Sequence, residues 1–179
     1  YPDTDKAFLD RFVFYDGTGQ SLELEKTIGM NEFPSPEVLM EKFEAWKNWT
    51  PQQLEAITEP YYYSPNGRSP RYYQENAINR AVEAVSRGQN RILLTMATGT
   101  GKTYTAFQIM WRLWKSRQKK RILFLADRNI LVDDPMRRDF APFKDKMIKI
   151  KRNKFDYAKY SAYELFFGIY QSATGTEEY

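Results

Sequence analysis

The stretch that most constrains this chain is Met96-Ala97-Thr98-Gly99-Thr100-Gly101-Lys102-Thr103, because it joins two segments of different pattern. The apolar run at 92–94 predicts a strand before it, and the amphipathic run at 103–114 predicts a helix after it. Glycines let backbone N–H groups close around phosphate oxygens, and the positive end of a helix favours the same anion. The order strand, glycine loop and helix therefore predicts a phosphate-binding loop.

The side chains of the loop match the chemistry of nucleotide binding. Lys102 can reach the β- and γ-phosphates, and the hydroxyl of Thr103 can hold Mg²⁺, so both are predicted to be catalytic. The strict pattern GxxxxGK[ST] has glycine where this chain has Met96, so the loop is a variant form. A chance Gly/Thr turn before a helix is the alternative. The residues predicted to bind nucleotide are Thr98, Gly99, Thr100, Gly101, Lys102 and Thr103.

A second motif, Arg71-Tyr72-Tyr73-Gln74, precedes the loop and opens a predicted helix that ends near Gly88. A glutamine amide offers one donor and one acceptor, which match N6 and N7 of adenine, so Gln74 is predicted to bind the base. Tyr72 or Arg71 could cover the face of the adenine ring. The alternative is that Gln74 is a solvated residue at a helix start.

Charge is distributed unevenly along the 179 residues. Residues 1–60 carry 12 acidic and 5 basic side chains, a net charge of −7, whereas residues 61–179 carry 11 and 22, a net charge of +11. A basic half that contains a phosphate loop favours a nucleic-acid partner, although an ordinary solvated basic surface is the alternative. The chain has no Cys, which fits a cytoplasmic protein, and no apolar run near the ~20 residues that span a membrane.

The first 60 residues are predicted to be an acidic linker or accessory segment. Residues 11–15 and 21–25 flank a Gly-rich turn and predict a hairpin. Ser35-Pro36 and Thr50-Pro51 each predict a helix start, with proline at the first helical position. Residues 61–70 contain Pro, Gly, Asn and Ser, which are typical of loops. This loop marks a boundary, so residues 61–179 are predicted to form a separate domain.

Three apolar runs predict buried, parallel strands at 91–96, 121–126 and 164–170, and residues 147–150 predict a shorter one. Arg128 and Asn129 follow the second run, and Gln171 and Ser172 follow the third. Ligands bind at the carboxyl ends of parallel strands, so these polar residues are predicted DNA contacts on the same rim as the phosphate loop. For Arg128 the alternative is a local ion pair with Asp127.

The basic run at 115–121 joins the end of a predicted helix to the start of a strand. It is therefore expected at the opposite edge of the sheet, away from the nucleotide. Although it carries more charge than the rim does, we interpret it as a solvated surface.

These motifs resemble those of superfamily 2 helicases: the loop resembles motif I, Gln74 the Q motif, and residues 124–129 motif Ia. The segment Leu125-Ala126-Asp127-Arg128-Asn129 resembles most the corresponding sequence in the motor (R) subunit of type I restriction–modification enzymes. The resemblance covers about residues 61–179. It implies a partial RecA-like α/β domain with a parallel sheet, and residues 1–60 would be a small hairpin-plus-helix segment before it.

The resemblance also implies a function. Such subunits use ATP and Mg²⁺ to translocate double-stranded DNA, cleave it, and assemble with methyltransferase and specificity subunits. The chain contains no (Asp/Glu)-x-Lys triplet of a metal-dependent nuclease and no Asp-Glu pair after a strand. It begins at Tyr1, so we expect a piece of a longer protein that does not hydrolyse ATP alone. The alternatives are another superfamily 2 helicase, a type III restriction subunit, or a non-hydrolysing nucleotide-binding scaffold.

Overall fold

The computed structural model describes residues 6–8, 27–29, 31, 33–64, 67–150 and 160–174. Contacts between Cα atoms divide the chain into two compact units, residues 1–50 and residues 51–179, and each is described by itself. The predicted division at residue 60 stays a prediction. No helix in the described part of the chain is long and apolar enough to cross a membrane.

The described residues of the first unit form an antiparallel strand pair and a helix. Strand β1 (Lys6–Phe8) pairs with strand β2 (Thr27–Gly29), while the hairpin predicted at 11–15 and 21–25 lies outside the described residues. Helix α1 (Pro36–Lys47) starts as predicted, with the amide of Val38 donating to the hydroxyl of Ser35 at 3.4 Å. The cap and the proline therefore determine where this helix begins.

Three helices of the second unit pack together in one layer. They are α2 (Pro51–Thr58), α3 (Tyr72–Ser86) and α4 (Lys102–Lys115). Helix α3 ends as predicted, because Gly88 adopts a left-handed φ of 81° after its last turn. The side chains at the centre of the layer are apolar and buried: Ala56, Ile78, Val82 and Leu113.

The opposite side of α4 faces a three-stranded parallel sheet. Its strands are β3 (Ile122–Ala126), β4 (Met147–Lys149) and β5 (Leu165–Ile169), in the order β3-β5-β4. Helix α5 (Ile130–Arg137) follows β3, a 3₁₀ segment (Ala141–Lys146) precedes β4, and the short helix α6 (Tyr170–Thr174) follows β5. The shared core of α4 and the sheet is largely aromatic: Tyr104, Phe107, Phe140, Phe143 and Phe167.

The strand predicted at 91–96 is not formed, so this prediction is wrong. Residues 91–97 have no regular secondary structure, and Leu93 is 88% exposed. A strand needs a neighbour for its backbone hydrogen bonds, and the described sheet contains only β3, β5 and β4. The strands predicted at 121–126, 147–150 and 164–170 are confirmed, so the chain has the α/β class and the parallel sheet of a partial RecA-like domain.

Arg112, on α4, links this helix to α2 and α3 through a buried guanidinium group. The group donates to Oδ1 of Asn79 at 2.6 Å and to the carbonyls of Ala56 and Ile57, and it lies 5.1 Å from the centre of the Tyr61 ring. These carbonyls belong to the last turn of α2, where the helix itself offers no donors. Burial lowers the pKa of the Arg112 guanidinium, and its hydrogen bonds offset part of the cost of desolvation.

We expect Arg112→Met to loosen α2 without unfolding the whole protein. A lost charged hydrogen bond costs about 1.5–3 kcal/mol, which corresponds to roughly 10- to 160-fold faster amide exchange in residues 51–58. Hydrogen exchange measured on the full-length protein checks this.

The matched control is Arg117→Met, which removes an exposed ion pair with Glu164 at 3.1 Å. Its effect on the exchange of residues 51–58 should be negligible. Equal effects of the two variants would contradict the role of Arg112.

Candidate nucleotide-binding site

The loop before α4 turns sharply at its two glycines. Gly99 and Gly101 adopt left-handed φ angles of 80° and 86°, and α4 begins directly after Gly101. The hydroxyl of Thr100 donates to the carbonyl of Ala97 at 2.7 Å, which tightens the turn. The first amides of α4 have no partners within the helix, so this helix start can bind an anion.

The two residues predicted to be catalytic stand in the first turn of α4. Lys102 is exposed, and its ammonium group donates to the carbonyls of Ala97 at 3.1 Å and Met96 at 3.4 Å. Thr103 is half-buried beside it, and Thr98 is exposed at the tip of the loop. The Lys102 ammonium therefore lies against the loop, with weak carbonyl partners that a phosphate group could replace.

Gln74 connects the start of α3 to the loop. Its side chain is buried, its Oε1 accepts from the amide of Arg71 at 2.9 Å, and its Nε2 donates to the carbonyl of Thr100 at 2.8 Å. The hydroxyl of Tyr73 donates to the same carbonyl at 3.3 Å. An amide has a second N–H and its oxygen a second lone pair, so these bonds use only part of the hydrogen-bonding capacity of Gln74.

Gly101 allows this contact because it has no side chain. A Cβ atom built at Gly101 would lie 2.4 Å from Nε2 of Gln74, closer than real Cβ contacts occur. The second glycine of the loop is therefore required both for its positive φ and for the approach of Gln74.

A cavity of about 180 Å³ lies between the loop and the start of α3. Arg71, one of the two residues predicted to cover adenine, lines this cavity, whereas Tyr72 does not and is 77% exposed. Arg68 and Tyr73 also line the cavity but were not predicted from the sequence. The only sign in the sequence was that a basic and an aromatic residue stand close to Gln74. The lining residues are Arg68, Ser69, Arg71, Tyr73, Gln74, Gly99, Thr100 and Gly101.

The donor set for a metal ion is small. No group of three or more His, Cys, Asp or Glu side chains that could hold a metal occurs among the described residues. The Thr103 hydroxyl at the helix start supplies one hard oxygen ligand, which fits Mg²⁺ brought in with phosphate oxygens and water.

The polar residues predicted to contact DNA share one edge of the sheet. Strands β3 and β5 are adjacent and parallel, and their last residues, Ala126 and Ile169, are register partners. Arg128 and Asn129 lie in the segment that follows β3, and Gln171 and Ser172 lie in the segment that follows β5. Because residues 91–97 do not join the sheet, a shared rim with the phosphate loop stays a prediction.

Arg128 also forms the local ion pair that was its alternative interpretation. Its Nε lies 3.7 Å from Oδ2 of Asp127, and the two side chains are 79% and 65% exposed. An ion pair this exposed contributes little to stability, so Arg128 is easily released to another anion.

The basic run at 115–121 lies at the opposite edge, as its position between α4 and β3 predicts. Arg117 pairs with Glu164, the residue just before β5, and Lys115 lies 5.1 Å from the centre of the Trp111 ring. These residues therefore border the amino ends of the strands, away from Arg128.

Comparisons with known proteins identify the family. A family model described as "Type III restriction enzyme, res subunit" matches residues 68–179. The endonuclease subunit of the type I restriction enzyme EcoAI from Escherichia coli is 57% identical over 170 residues, which are 94% of this chain and 20% of that protein. The EcoKI endonuclease subunit of Escherichia coli strain K12 is 57% identical over 61 residues, 34% of this chain and 5% of that protein.

A solved structure has the same fold. It is a fragment assigned as an HsdR subunit of a type I restriction enzyme from Vibrio vulnificus, with a TM-score of 0.65 and 38% identity, and the match covers 88% of this chain and 27% of that one. This chain thus spans about a fifth of the length of the EcoAI relative. The chain belongs to the restriction-enzyme family that the res-subunit model describes, and its similarity to endonuclease subunits of type I enzymes confirms the resemblance inferred from the motifs.

Proposed function

We propose that this chain is the ATP-binding part of a motor that translocates double-stranded DNA in a type I restriction endonuclease. The observation that carries the proposal is the hydrogen bond from Gln74 to the carbonyl of Thr100. It joins the predicted base-binding residue to the predicted phosphate-binding loop, so one nucleotide can contact both.

In this proposal each part of the site has one task. Backbone N–H groups from Gly99 to Gly101 surround the phosphates, and Lys102 balances their charge. Gln74 uses its remaining donor and acceptor capacity on adenine. Thr103 holds Mg²⁺, which neutralises phosphate charge when it is bound.

The remaining parts of the reaction belong, in this proposal, to regions of the full-length protein outside this chain. These parts are the carboxylates that hold Mg²⁺ and orient water, and the nuclease that cuts DNA. The supporting fact is that this chain spans 20% of the EcoAI relative and contains neither motif. Methyltransferase and specificity subunits are the proposed partners, and a cytoplasmic location stays a prediction.

A type III restriction subunit is the second candidate, because the matching family model is named after the res subunit of type III enzymes. The EcoAI and EcoKI relatives and the solved fragment all carry type I names, which favours the first candidate. A non-hydrolysing scaffold is the third, and replacing Lys102 tests it.

Lys102→Ala in the full-length protein should reduce ATP hydrolysis by about 10²-fold or more, since it removes a charge aimed at the reacting phosphates. The melting temperature should change little, because Lys102 is exposed and bonds only weakly to its own loop. Assays of ATPase rate and melting temperature check both. ATPase activity near that of the unchanged protein would favour the scaffold.

Gly101→Ala should weaken ATP binding about tenfold or more, because the new methyl group displaces Nε2 of Gln74 and breaks its bond to the loop. The control is Gly88→Ala, which has a nearly equal φ of 81° but meets no atom within 4 Å. Both changes carry the backbone strain of about 1–2 kcal/mol, and Gly101→Ala alone should affect ATP affinity. Equal ATP affinities of the two variants, measured by titration of the full-length protein, would contradict the proposed site.

Arg128→Ala should weaken binding to all DNA sequences alike and reduce the slope of log K against log salt by about one unit. The comparison is Lys119→Ala/Lys120→Ala, which removes two charges at the opposite edge of the sheet. Salt titrations of the full-length protein measure both slopes. A reduced slope for the double variant but not for Arg128→Ala would put DNA on the other edge.

A further inference from the structure

A second cavity, of about 510 Å³, lies where the first half of α4 faces the segment 138–144 that follows α5. It is called the larger cavity below. Its volume falls within the range of about 300–1,000 Å³ that is usual for small-molecule sites. Neither Gln74 nor the phosphate loop lines it, so the proposed function leaves it without a role.

The charged side chains that line the larger cavity are mostly basic. Arg68, Arg138 and Lys144 oppose a single carboxylate, Asp139, so three positive charges and one negative charge leave a net charge of +2. Asp139 is already bonded to NH1 of Arg68 at 3.1 Å, and the Arg68 guanidinium carbon lies 4.0 Å from the centre of the Tyr104 ring.

The other two cations have no counter-charge. The side chains of Arg138 and Lys144 are exposed, and they form no hydrogen bond or ion pair with any other described residue. Both are therefore available to an anion that enters the larger cavity.

The backbone that carries these two cations is anchored to the core. Phe140 and Phe143 lie between them in the chain and are buried, with ring centres 5.7 and 5.6 Å from that of Phe107. The amide of Phe140 also donates to the carbonyl of Pro135 at 2.9 Å. Because Phe107 itself lines the larger cavity, its wall and the carrier of its cations belong to one packed core.

Lys144 adopts backbone angles that are unusual for a lysine, with φ at 49° and ψ at −123°. Such angles occur at the first central residue of a type II′ turn, where glycine is favoured because it has no Cβ atom. A lysine at this position costs stability, and strained residues of this kind cluster at ligand sites. The strain therefore points to a use for the Lys144 side chain.

The unpaired cations fit a phosphate monoester better than a phosphodiester. A monoester carries about −1.5 to −2 charges at pH 7, which two cations balance, and its oxygens match the planar donors of an arginine. Each phosphodiester of a nucleic-acid backbone carries one charge. The lining also includes Tyr62, Phe107 and Pro142, so part of the larger cavity suits an apolar group.

We propose that the larger cavity is a second ligand site, which binds a phosphate monoester with a compact apolar or aromatic body. Arg138 and Lys144 bind the phosphate oxygens, Asp139 keeps Arg68 at the side of the cavity, and the apolar wall contacts the body of the ligand. The proposal does not rest on the proposed function, because none of these residues belongs to the phosphate loop.

The probe for the test is phenyl phosphate, a monoester with one ring and no base for Gln74. Its affinity for the full-length protein is measured by ligand-observed NMR, beside phenol and inorganic phosphate, which each lack one half of the probe. Both should bind at least about tenfold more weakly, since each loses either the charged hydrogen bonds or the apolar contact. Lys102→Ala should leave the affinity for phenyl phosphate within about twofold.

Lys144→Gly separates binding from folding. It removes the cation and relieves the backbone, so phenyl phosphate should bind at least about tenfold more weakly while the melting temperature does not fall. Arg138→Ala should weaken binding by a similar factor. The matched control is Arg117→Gly, because Arg117 is also an exposed cation with a left-handed φ, of 58°, but does not line the larger cavity. It should leave the affinity within about twofold.

Two DNA strands of one sequence, with and without a 5′-phosphate, identify the source of the monoester. Displacement of phenyl phosphate by the phosphorylated strand alone supports the proposal and assigns the site to a DNA end. Displacement by neither supports it with a small molecule as the ligand. Equal displacement by both would mean that backbone phosphodiesters bind, which contradicts the monoester assignment.

Five other results would overturn the proposal. They are no binding of phenyl phosphate, equal binding of phenol or of inorganic phosphate, unchanged affinity in Lys144→Gly or in Arg138→Ala, an equal loss in Arg117→Gly, and a loss in Lys102→Ala. The last result would place the phosphate at the phosphate loop. A fall in both affinity and melting temperature in Lys144→Gly leaves the decision to Arg138→Ala, whose unchanged affinity would refute the site.

Discussion

Polar contacts along one face of α4 hold the chain that precedes the phosphate loop, and the site depends on them. Tyr104, Gln108 and Arg112 are four residues apart, so they lie in one row along the helix. Each is buried and bonds to a backbone carbonyl of the earlier chain. Arg112 donates to the carbonyl of Ile57, Gln108 to that of Tyr62, and Tyr104 to that of Arg68. The earlier chain therefore runs along α4 in the opposite direction to the helix. At the start of the same helix, Gly101 makes room for Gln74.

Buried polar side chains of this kind specify one arrangement, because each loses hydrogen bonds if the chain shifts. Gln108 shows the effect most clearly. Its Oε1 accepts from the amide of Tyr62 at 2.9 Å, and its Nε2 donates to the carbonyl of the same residue at 2.9 Å. An irregular segment that crosses a helix would otherwise leave both backbone groups unpaired at a cost of about 1–3 kcal/mol each. The apolar contacts of α4 supply stability, and this row determines where the connection between α2 and α3 lies.

Sequence patterns predicted the helices and three strands well, because caps, prolines and apolar periodicity act locally. They predicted the loop for the same reason, because Gly99 and Gly101 adopt positive φ angles, which is a local property of glycine. The strand at 91–96 could not be predicted correctly, because an apolar run becomes a strand only beside a partner. The polar row on α4 was missed as well: Gln108 in a helix looks solvated until its distant backbone partner is known. Arg68 was missed because stacking on Tyr104 joins positions 36 residues apart.

In the proposed site, the bond between Gln74 and Thr100 would be a physical link between base and phosphate recognition. Gln74 is anchored at the start of α3 by the amide of Arg71, so its Nε2 has little freedom to move. A base that draws Nε2 toward itself weakens the bond to the Thr100 carbonyl, and a base that uses the second N–H leaves that bond intact. In the second case the loop geometry is already present before the phosphates arrive, so binding costs less ordering of the backbone. Gln74 already lies directly against Gly101. A base that uses the second N–H of Gln74 therefore requires no movement of α3 or of the loop.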